Sequence, residues 1–387
     1  MEKLILKKDA DNRIRHGHPW IFSNEIVQHI DCEDGEIVEI LSSTGKSYGL
    51  AFYNSHSLVA GRLLYCEKFD YSLICERIRR SLEYRKFLFP DENSYRVVFG
   101  ESDLLPGLIV DKYSNYLSVQ FLSAGVDKIK ETIINALLEA IPDIEGIIEK
   151  DISTHRKSEN LPEVETVLYG TIADKTRFSE NSILFDVSLK EGQKTGYFLD
   201  QKINRKFLQS IAKGKTVLDC FCNQGGFALN AAKSGATHVL GVDISQSAVD
   251  TSQHNAKINN FNNVDFIKDD VFDFLENENS TGNKWDIIVL DPPAFTKNRK
   301  TLPKAKAGYA KINRLALKLL NKNGFIVTSS CSHHLKEQDF FDIIQREASK
   351  QNVKLRLVYR GMQSPDHPIL VSMPETQYLK FFVFQLI

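Results

Sequence analysis

Residues 216–227, read as TVLDCFCNQGGF, constrain the fold of this chain more than any other stretch. A short apolar run ends in an acid, Asp219, passes through a turn containing two glycines, and enters a helix-like segment over residues 228–233. The next apolar run, residues 239–242, ends in a second acid, Asp243, and 243 − 219 = 24 residues separate the two acids. That spacing is the length of one strand–helix–strand unit. Parallel strands need such a crossover, so the stretch commits the chain to a parallel sheet covered by helices.

An acid that closes the second strand of such a unit accepts hydrogen bonds from ribose hydroxyls. Asn223 stands where a phosphate loop needs its first glycine, so backbone approach to a pyrophosphate is not the obvious use of the turn. A nucleoside ligand without phosphates fits better, and S-adenosylmethionine is the common one. A similar sheet with another ligand is the alternative.

From about residue 191 strand and helix signals alternate. Strands are predicted at 217–220, 238–243, 264–268, 286–290, 325–330, 355–359 and 379–384, with helices at 247–259, 307–320 and 336–349. The pattern predicts an α/β fold: a seven-stranded, mostly parallel sheet with helices on both faces. Residues 1–69 read instead as short strands (4–6, 36–40, 48–52 and 58–64) with turns at Asp34-Gly35 and Thr44-Gly45, a small β-barrel. Residues 70–190 begin with a helix ending at Pro90, followed by a small α+β region with one helix over 128–140. Three domains are therefore expected: 1–69, 70–190 and 191–387.

A formal net charge of −1 gives no global field to attract a polyanion, so nucleic-acid contact must come from local basic patches. Six cysteines without a C-x-x-C pair argue against a structural zinc and a disulfide framework, and no metal is expected. The first eight residues lack an apolar core, and no run reaches the ~18–20 apolar residues that span a bilayer. A cytoplasmic protein with no membrane partner is expected.

Ligands of such sheets bind at the carboxyl ends of the strands. There stand Asp219, Asp243, Asp269-Asp270, Asp291 and Cys331. Asp243 is the ribose candidate. Asp270 is placed either to accept from an adenine amino group or to cap a helix. Asp291-Pro292-Pro293-Ala294-Phe295 leaves the fourth strand; its prolines remove two N–H donors, leaving carbonyls for a base on which Phe295 can stack. Cys331, among serines after the fifth strand, is either a filler or a nucleophile. A nucleophile there answers a chemical need: carbon 5 of a pyrimidine attacks a methyl sulfonium only after a thiolate has added at carbon 6. Asp291 would then hydrogen-bond ring nitrogen N3. His333 and His334 lie nearby, but neither is assigned as the base for the carbon 5 proton.

Residues 295–314 hold seven basic residues, Lys297, Arg299, Lys300, Lys304, Lys306, Lys311 and Arg314, and no acid. A basic flap beside the site implies a phosphate-bearing macromolecule. A second basic cluster, residues 13–20, holds Arg15 and Trp20, suited to RNA backbone and base contact, although Trp20 serves equally as core.

With these residues assembled, the chain resembles the ribosomal RNA cytosine-5 methyltransferases that carry an N-terminal PUA domain. The likeness spans nearly the full length. Residues 15–23 (RHGHPWIFS) resemble the PUA opening, and 100–111 (GESDLLPGLIVD) the central domain. Residues 192–201 (GQKTGYFLDQ), with Asn204-Arg205, resemble the entry to a class I, Rossmann-like methyltransferase domain. The resemblance implies Cys331 as nucleophile and Asp291 at the target base. It implies Asp219, Phe221, Asn223, Gly225, Asp243, Ile244 and Asp270, with Phe198, Asp200 and Gln201, around S-adenosylmethionine. It implies Pro292, Pro293, Phe295, Lys297, Arg299, Lys194, Arg15 and Trp20 on the RNA, expected to be of the 23S type. A guanine methyltransferase of RNA, with Cys331 as packing, is the competing reading. An exposed strand edge within 95–190 could pair two chains as a homodimer.

Overall fold

The computed structural model describes residues 1–192, 195–296 and 298–387. Lys194 and Lys297, both expected on the RNA, therefore lie outside the described residues. The chain divides into two compact units: Met1–Phe178, Val187–Leu199 and Pro365–Thr376 form the first, and Ser179–Asp186, Asp200–Ser364 and Gln377–Ile387 the second.

The first unit opens with β1 (Lys3–Ile5), α1 (Asn12–Arg15), β2 (Trp20–Phe22), β3 (Ile37–Leu41), β4 (Ser47–Tyr53) and β5 (Val59–Leu63). Their sheet order is β1-β3-β4-β5-β2. A bridge between Leu6 and Ile26 joins the two ends and closes the sheet on itself. Alternation along β3 turns Val38 and Ile40 inward onto Leu4, Ile21, Ala51 and Leu63. Strand β2 went unseen in the sequence because three residues are too few to show a period of two.

Next comes α2 (Tyr71–Leu88), whose N-cap Asp70 accepts from the Leu73 N–H. The second sheet contains β6 (Ser94–Phe99), β7 (Leu108–Tyr113), β8 (Tyr116–Phe121), β9 (Gly146–Asp151) and β10 (Val164–Gly170), in the order β10-β9-β8-β7-β6. The single helix expected at 128–140 is two, α3 (Ala124–Lys128) and α4 (Lys130–Ala140), parted at Ile129, which lies outside helical geometry. A further helix, α5 (Thr154–Ser158), precedes edge strand β10, which exposes Val167 and Tyr169. The carboxylates of Asp127, Glu149 and Asp151 cluster here, taken up by Lys130 and Arg156.

A two-stranded sheet, β11 (Thr176–Glu180) and β12 (Ile183–Val187), leads into the second unit. There α6 (Lys202–Ala212) precedes β13 (Thr216–Cys220), α7 (Gly226–Lys233), β14 (His238–Asp243), α8 (Gln246–Ile258), β15 (Val264–Lys268), α9 (Val271–Thr281) and β16 (Trp285–Leu290). Then follow α10 (Leu302–Leu319), β17 (Leu320–Ser330), α11 (Glu337–Lys350), β18 (Leu355–Gly361) and β19 (Lys380–Leu386). The sheet order is β15-β14-β13-β16-β17-β19-β18. All pairings up to β17 are parallel, and β19 runs antiparallel between β17 and β18. This is the expected seven-stranded, mostly parallel α/β sheet. Helix α9 was hidden by its polar sequence, although its cap residue Asp270 was in view.

Arg85 anchors the first unit. It is fully buried and donates to both carboxylate oxygens of Asp103 (2.6 and 2.7 Å), to Ser81 Oγ (2.9 Å) and to the carbonyls of Arg96 and Asp366 (both 2.8 Å). Removing one partner of a buried pair strands the other charge. We expect Arg85→Ala to cost about 3–5 kcal/mol in urea unfolding followed by Trp20 fluorescence in a Trp285→Phe background. A loss below about 1 kcal/mol, the size of an exposed pair's contribution, would refute this.

Candidate active site

Parallel register assembles the site. Cys220 pairs with Val242 on one side and Leu290 on the other, and Leu290 pairs with Thr328. The carboxyl ends of β13, β14, β16 and β17 are thus level, and the strand order reverses between β14 and β16, around β13. Such a reversal opens a crevice for ligand. Asp219, Asp243, Asp291 and Cys331 are brought to this one edge.

The turn after β13 is strained. Phe221 has φ +62°, Asn223 +47° and Gly225 +83°. Asn tolerates the left-handed region and glycine occupies it freely, whereas an aromatic residue there costs roughly 1–2 kcal/mol. Gly225 caps α7, and a Cβ on it would sit 3.2–3.3 Å from Phe266, Leu229 and Ser252.

Asp219 is completely buried. Its Oδ2 accepts from the Ala228 N–H in the first turn of α7 (2.8 Å), and its Oδ1 has no hydrogen-bond partner among the described residues. Burial pushes this carboxyl well above the usual range, and the charges of Asp291 and Asp243 add to the rise. A buried acceptor left unmet is costly, so the spot suits a ligand that brings a donor. Asp243 accepts from the Asn223 N–H through Oδ2 and from the Ser245 N–H through Oδ1 (both 2.9 Å), which ties the strained turn to the end of β14. The next residue, Ile244, is 64% exposed, an apolar face beside a carboxylate, as a nucleoside requires. Asp270 caps α9, its Oδ1 accepting from the N–H groups of Phe272 (2.8 Å) and Asp273 (3.3 Å). One carboxylate oxygen fills the helix-capping role that the sequence had left as one of two options.

On the other side of β13, Asp291 Oδ1 accepts from Gln201 Nε2 (2.9 Å) and from Ser329 Oγ. Gln201 is oriented in turn by Asn204, whose Nδ2 donates to Gln201 Oε1 (2.7 Å). Asp200 Oδ2 accepts from the Tyr378 hydroxyl (2.7 Å). Burial pushes the Asp291 carboxyl up to about 6; the Ser329 hydrogen bond opposes this, the charge of Asp200 adds to it, and Arg205 and Gln201 oppose it. Arg205 is itself held by Glu180 at 2.6 and 2.8 Å. The sequence assigned Gln201 to the cofactor; its side chain is engaged with Asp291, a link invisible across 90 residues.

Cys331 is half-buried, whereas Cys220 and Cys222 are buried as packing. Its neighbours are clamped: Ser330 Oγ donates to the Tyr309 hydroxyl (2.9 Å), which also meets Ser332 Oγ (3.1 Å). Lys380 donates to the Ser332 carbonyl (2.6 Å). None of the cysteines forms a disulfide among the described residues.

The basic stretch departs from its expected form. From Leu302 onward it is helix α10, with Ala305, Tyr309, Ile312 and Ala316 buried in the core. Lys306, Lys311 and Arg314 pair with Asp339, Glu276 and Glu347 on neighbouring helices. Among the described residues of the stretch, Arg299, Lys300 and Lys304 are exposed basic residues. Pro293 is exposed and Pro292 buried. Phe295 is packed against Tyr309 (centroids 4.6 Å apart) and Phe272 (6.2 Å) rather than standing clear to stack on a base. Phe295 is thus partly buried against the helix core.

Phe198, Arg15 and Trp20 belong to the first unit. Arg15 is exposed and paired with Asp11 at 2.7 Å. Trp20 is half-buried, its Nε1 donating to Glu101 (2.7 Å) beneath the Arg62 guanidinium, so it is not an open stacking surface in this form.

Comparison with known proteins agrees with this geometry. A family profile described as a PUA-like domain matches residues 4–65, and one described as a methyltransferase domain matches residues 211–375. A ribosomal RNA large subunit methyltransferase I of Yersinia pseudotuberculosis is 34% identical over 99% of both chains. A Streptococcus mutans protein assigned to the SAM-dependent methyltransferases superposes with a TM-score of 0.85 at 25% identity, covering 100% of both chains. A methyltransferase solved with SAH, also 25% identical over the whole of both chains, gives 0.87. The fold is that of a class I methyltransferase with an N-terminal PUA-like domain, and its cofactor is S-adenosylmethionine.

Asp243→Ala removes an anionic acceptor and loosens the turn. Charge-assisted hydrogen bonds contribute about 1.5–3 kcal/mol, so S-adenosylhomocysteine affinity should fall roughly 10- to 100-fold by calorimetry; unchanged affinity would remove Asp243 from the cofactor site. Asp291 gives a pH signature. Its folded pKa, about 6, lies above the ordinary 3.8, so its contribution is most favourable below 3.8 and is lost as pH rises through about 6. Asp291→Asn should therefore stabilise the protein by up to about 3 kcal/mol above pH 7, the gain shrinking toward zero near pH 4. A pH-independent difference in urea unfolding would contradict the assignment.

Proposed function

The chain belongs to the ribosomal RNA large subunit methyltransferase I family, and we propose that it forms 5-methylcytosine in large-subunit ribosomal RNA through a covalent adduct on Cys331. The observation that carries this reading is the half-exposed Cys331 at the end of β17, one strand from the protonatable Asp291 at the end of β16. Direct transfer to an exocyclic amino group or to a guanine nitrogen needs no thiol at that edge.

The residues divide the work. The Cys331 thiolate adds to carbon 6 of the cytosine, and the ring electrons move toward carbon 5 while N3 takes a proton from Asp291. With its pKa raised to about 6, the Asp291 carboxyl is closer to sharing that proton at neutral pH than an ordinary aspartic acid. Gln201 and Ser329 fix the accepting oxygen in place. S-adenosylmethionine, when bound, supplies the electrophilic methyl group for carbon 5. Loss of the carbon 5 proton to a base then restores the double bond, expels the Cys331 sulfur as thiolate and returns the N3 proton to Asp291. Arg299 and Lys300, exposed ahead of α10, and Lys304, exposed in its first turn, supply phosphate contacts for the RNA, together with the PUA-like domain. Cysteines without disulfides among the described residues suit a reducing cytoplasm.

Cys331→Ser should lower turnover by at least ~10³-fold while S-adenosylhomocysteine binding stays within about twofold of wild type. RNA carrying 5-fluorocytosine at the target should trap a covalent complex with the wild-type protein and none with the serine variant, because fluorine cannot leave as a proton does. Turnover by Cys331→Ser near the wild-type rate would sink the covalent route and favour direct transfer to a guanine.

A further inference from the structure

Lys380 is a buried lysine in a strand that is otherwise apolar: β19 reads Lys380-Phe381-Phe382-Val383-Phe384-Gln385-Leu386, and Lys380 through Phe384 are all buried. An ammonium taken from water is costly unless it meets acceptors or charge. Its Nζ donates to the carbonyls of Ser332 (2.6 Å) and Tyr378 (2.7 Å). These two bonds leave one of its three N–H groups to be accounted for. No carboxylate forms an ion pair with it among the described residues.

The position follows from topology. Strand β19 is antiparallel to β17, and Ser330 pairs with Lys380. The first residue of β19 thus lies at the same edge as the last residue of β17, and Cys331 comes next. Lys380 thus pairs with the residue before Cys331 and bonds the carbonyl of the residue after it. Tyr309, fully buried, bonds the side chains of the same two neighbours, Ser330 and Ser332. Cys331 is therefore held through its two chain neighbours by a phenol and an ammonium.

We propose that Lys380 is a positioning residue that holds Cys331 as thiolate for attack on the pyrimidine, its ammonium serving as the fixed counter-ion. The inference rests on the reading of Cys331 as the nucleophile. The thiol loses its proton to water before the base is attacked, and Lys380 keeps its own protons throughout, so no proton passes between the two. The thiolate expelled at the end of the cycle returns to the same field.

The surrounding groups permit this. Burial pushes the Lys380 ammonium down to about 8, with the charges of Cys331 and Glu337 drawing it back up, so it remains mostly protonated at pH 7. Burial raises the Tyr309 hydroxyl, and Cys331 raises it further, so the phenol stays neutral and adds no competing anion. Glu337, at the start of α11, acts on Lys380. His333, in the same turn, is exposed and stacked on Tyr378 at 5.5 Å; His334 follows it. A neighbouring lysine is one of the recognised ways of lowering a thiol's pKa from about 8.5.

The test is the pH dependence of alkylation at Cys331 alone. The intact protein is treated with iodoacetamide from pH 6 to 10, and the Cys331 peptide is quantified by mass spectrometry. Wild type should show a midpoint at least one unit below an ordinary thiol's 8.5. Lys380→Met should raise it by one unit or more, slowing alkylation at pH 7 about tenfold, and Lys380→Arg should restore most of the rate. Turnover of the Met variant should fall by a similar factor at pH 7 and recover toward pH 9, with S-adenosylhomocysteine affinity unchanged. A wild-type midpoint at or above 8.5, a measurement that needs no variant, would overturn the proposal. So would superimposable wild-type and Lys380→Met profiles. Failure of the nucleophile reading is seen separately, as turnover by Cys331→Ser, and leaves the alkylation profiles as they are.

Discussion

The level carboxyl ends of four parallel strands are the constraint on which the rest of this protein depends. Parallel hydrogen bonding fixes Cys220 against Val242 and Leu290, and Leu290 against Thr328. A slip of one residue would turn every side chain on that strand to the other face. Because the register is locked by two buried faces, residues 219, 243, 291 and 331 need no direct contact with one another to share one edge. Each need only follow its own strand.

That concentration of acids has an electrostatic cost. Asp219 and Asp291 are pushed toward their neutral forms by burial; the charges of Asp291 and Asp243 raise Asp219 further, and that of Asp200 raises Asp291. The offsetting cation, Arg205, is supplied from α6 and anchored by Glu180. The two carboxyls remain distinct in their partners. Asp219 meets a backbone amide and keeps one oxygen unmet among the described residues, whereas Asp291 is steadied by an amide side chain and a hydroxyl. The first arrangement suits recognition of a donor, the second suits exchange of a proton.

The single antiparallel strand has a comparable consequence. Had β19 run parallel to β17, its first residue would have lain at the amino edge, far from the chemistry. Reversal brings Lys380 to the Cys331 turn and makes a lysine in an apolar strand a constituent of the site. The same segment carries Tyr378, which bonds Asp200.

Much of this was legible in the residues. Alternating apolar runs and helical periods gave the sheet, its strands and most of its helices, because a strand buried on both faces must be continuously apolar. Asp219, Asp243, Asp291 and Cys331 were marked by standing where those runs end. Side-chain partners across long separations were not legible: Gln201 with Asp291, Tyr309 with Ser330, Lys380 with Ser332. Neither was the pairing of Lys306, Lys311 and Arg314 with acids on other helices, or the packing of Phe295 against Tyr309. Local sequence determined which residues lie at strand ends, since periodicity and turn chemistry act over a few residues. Tertiary structure decided which of those ends meet and which charges are paired or stranded, since packing and burial arise only when distant segments close around one core.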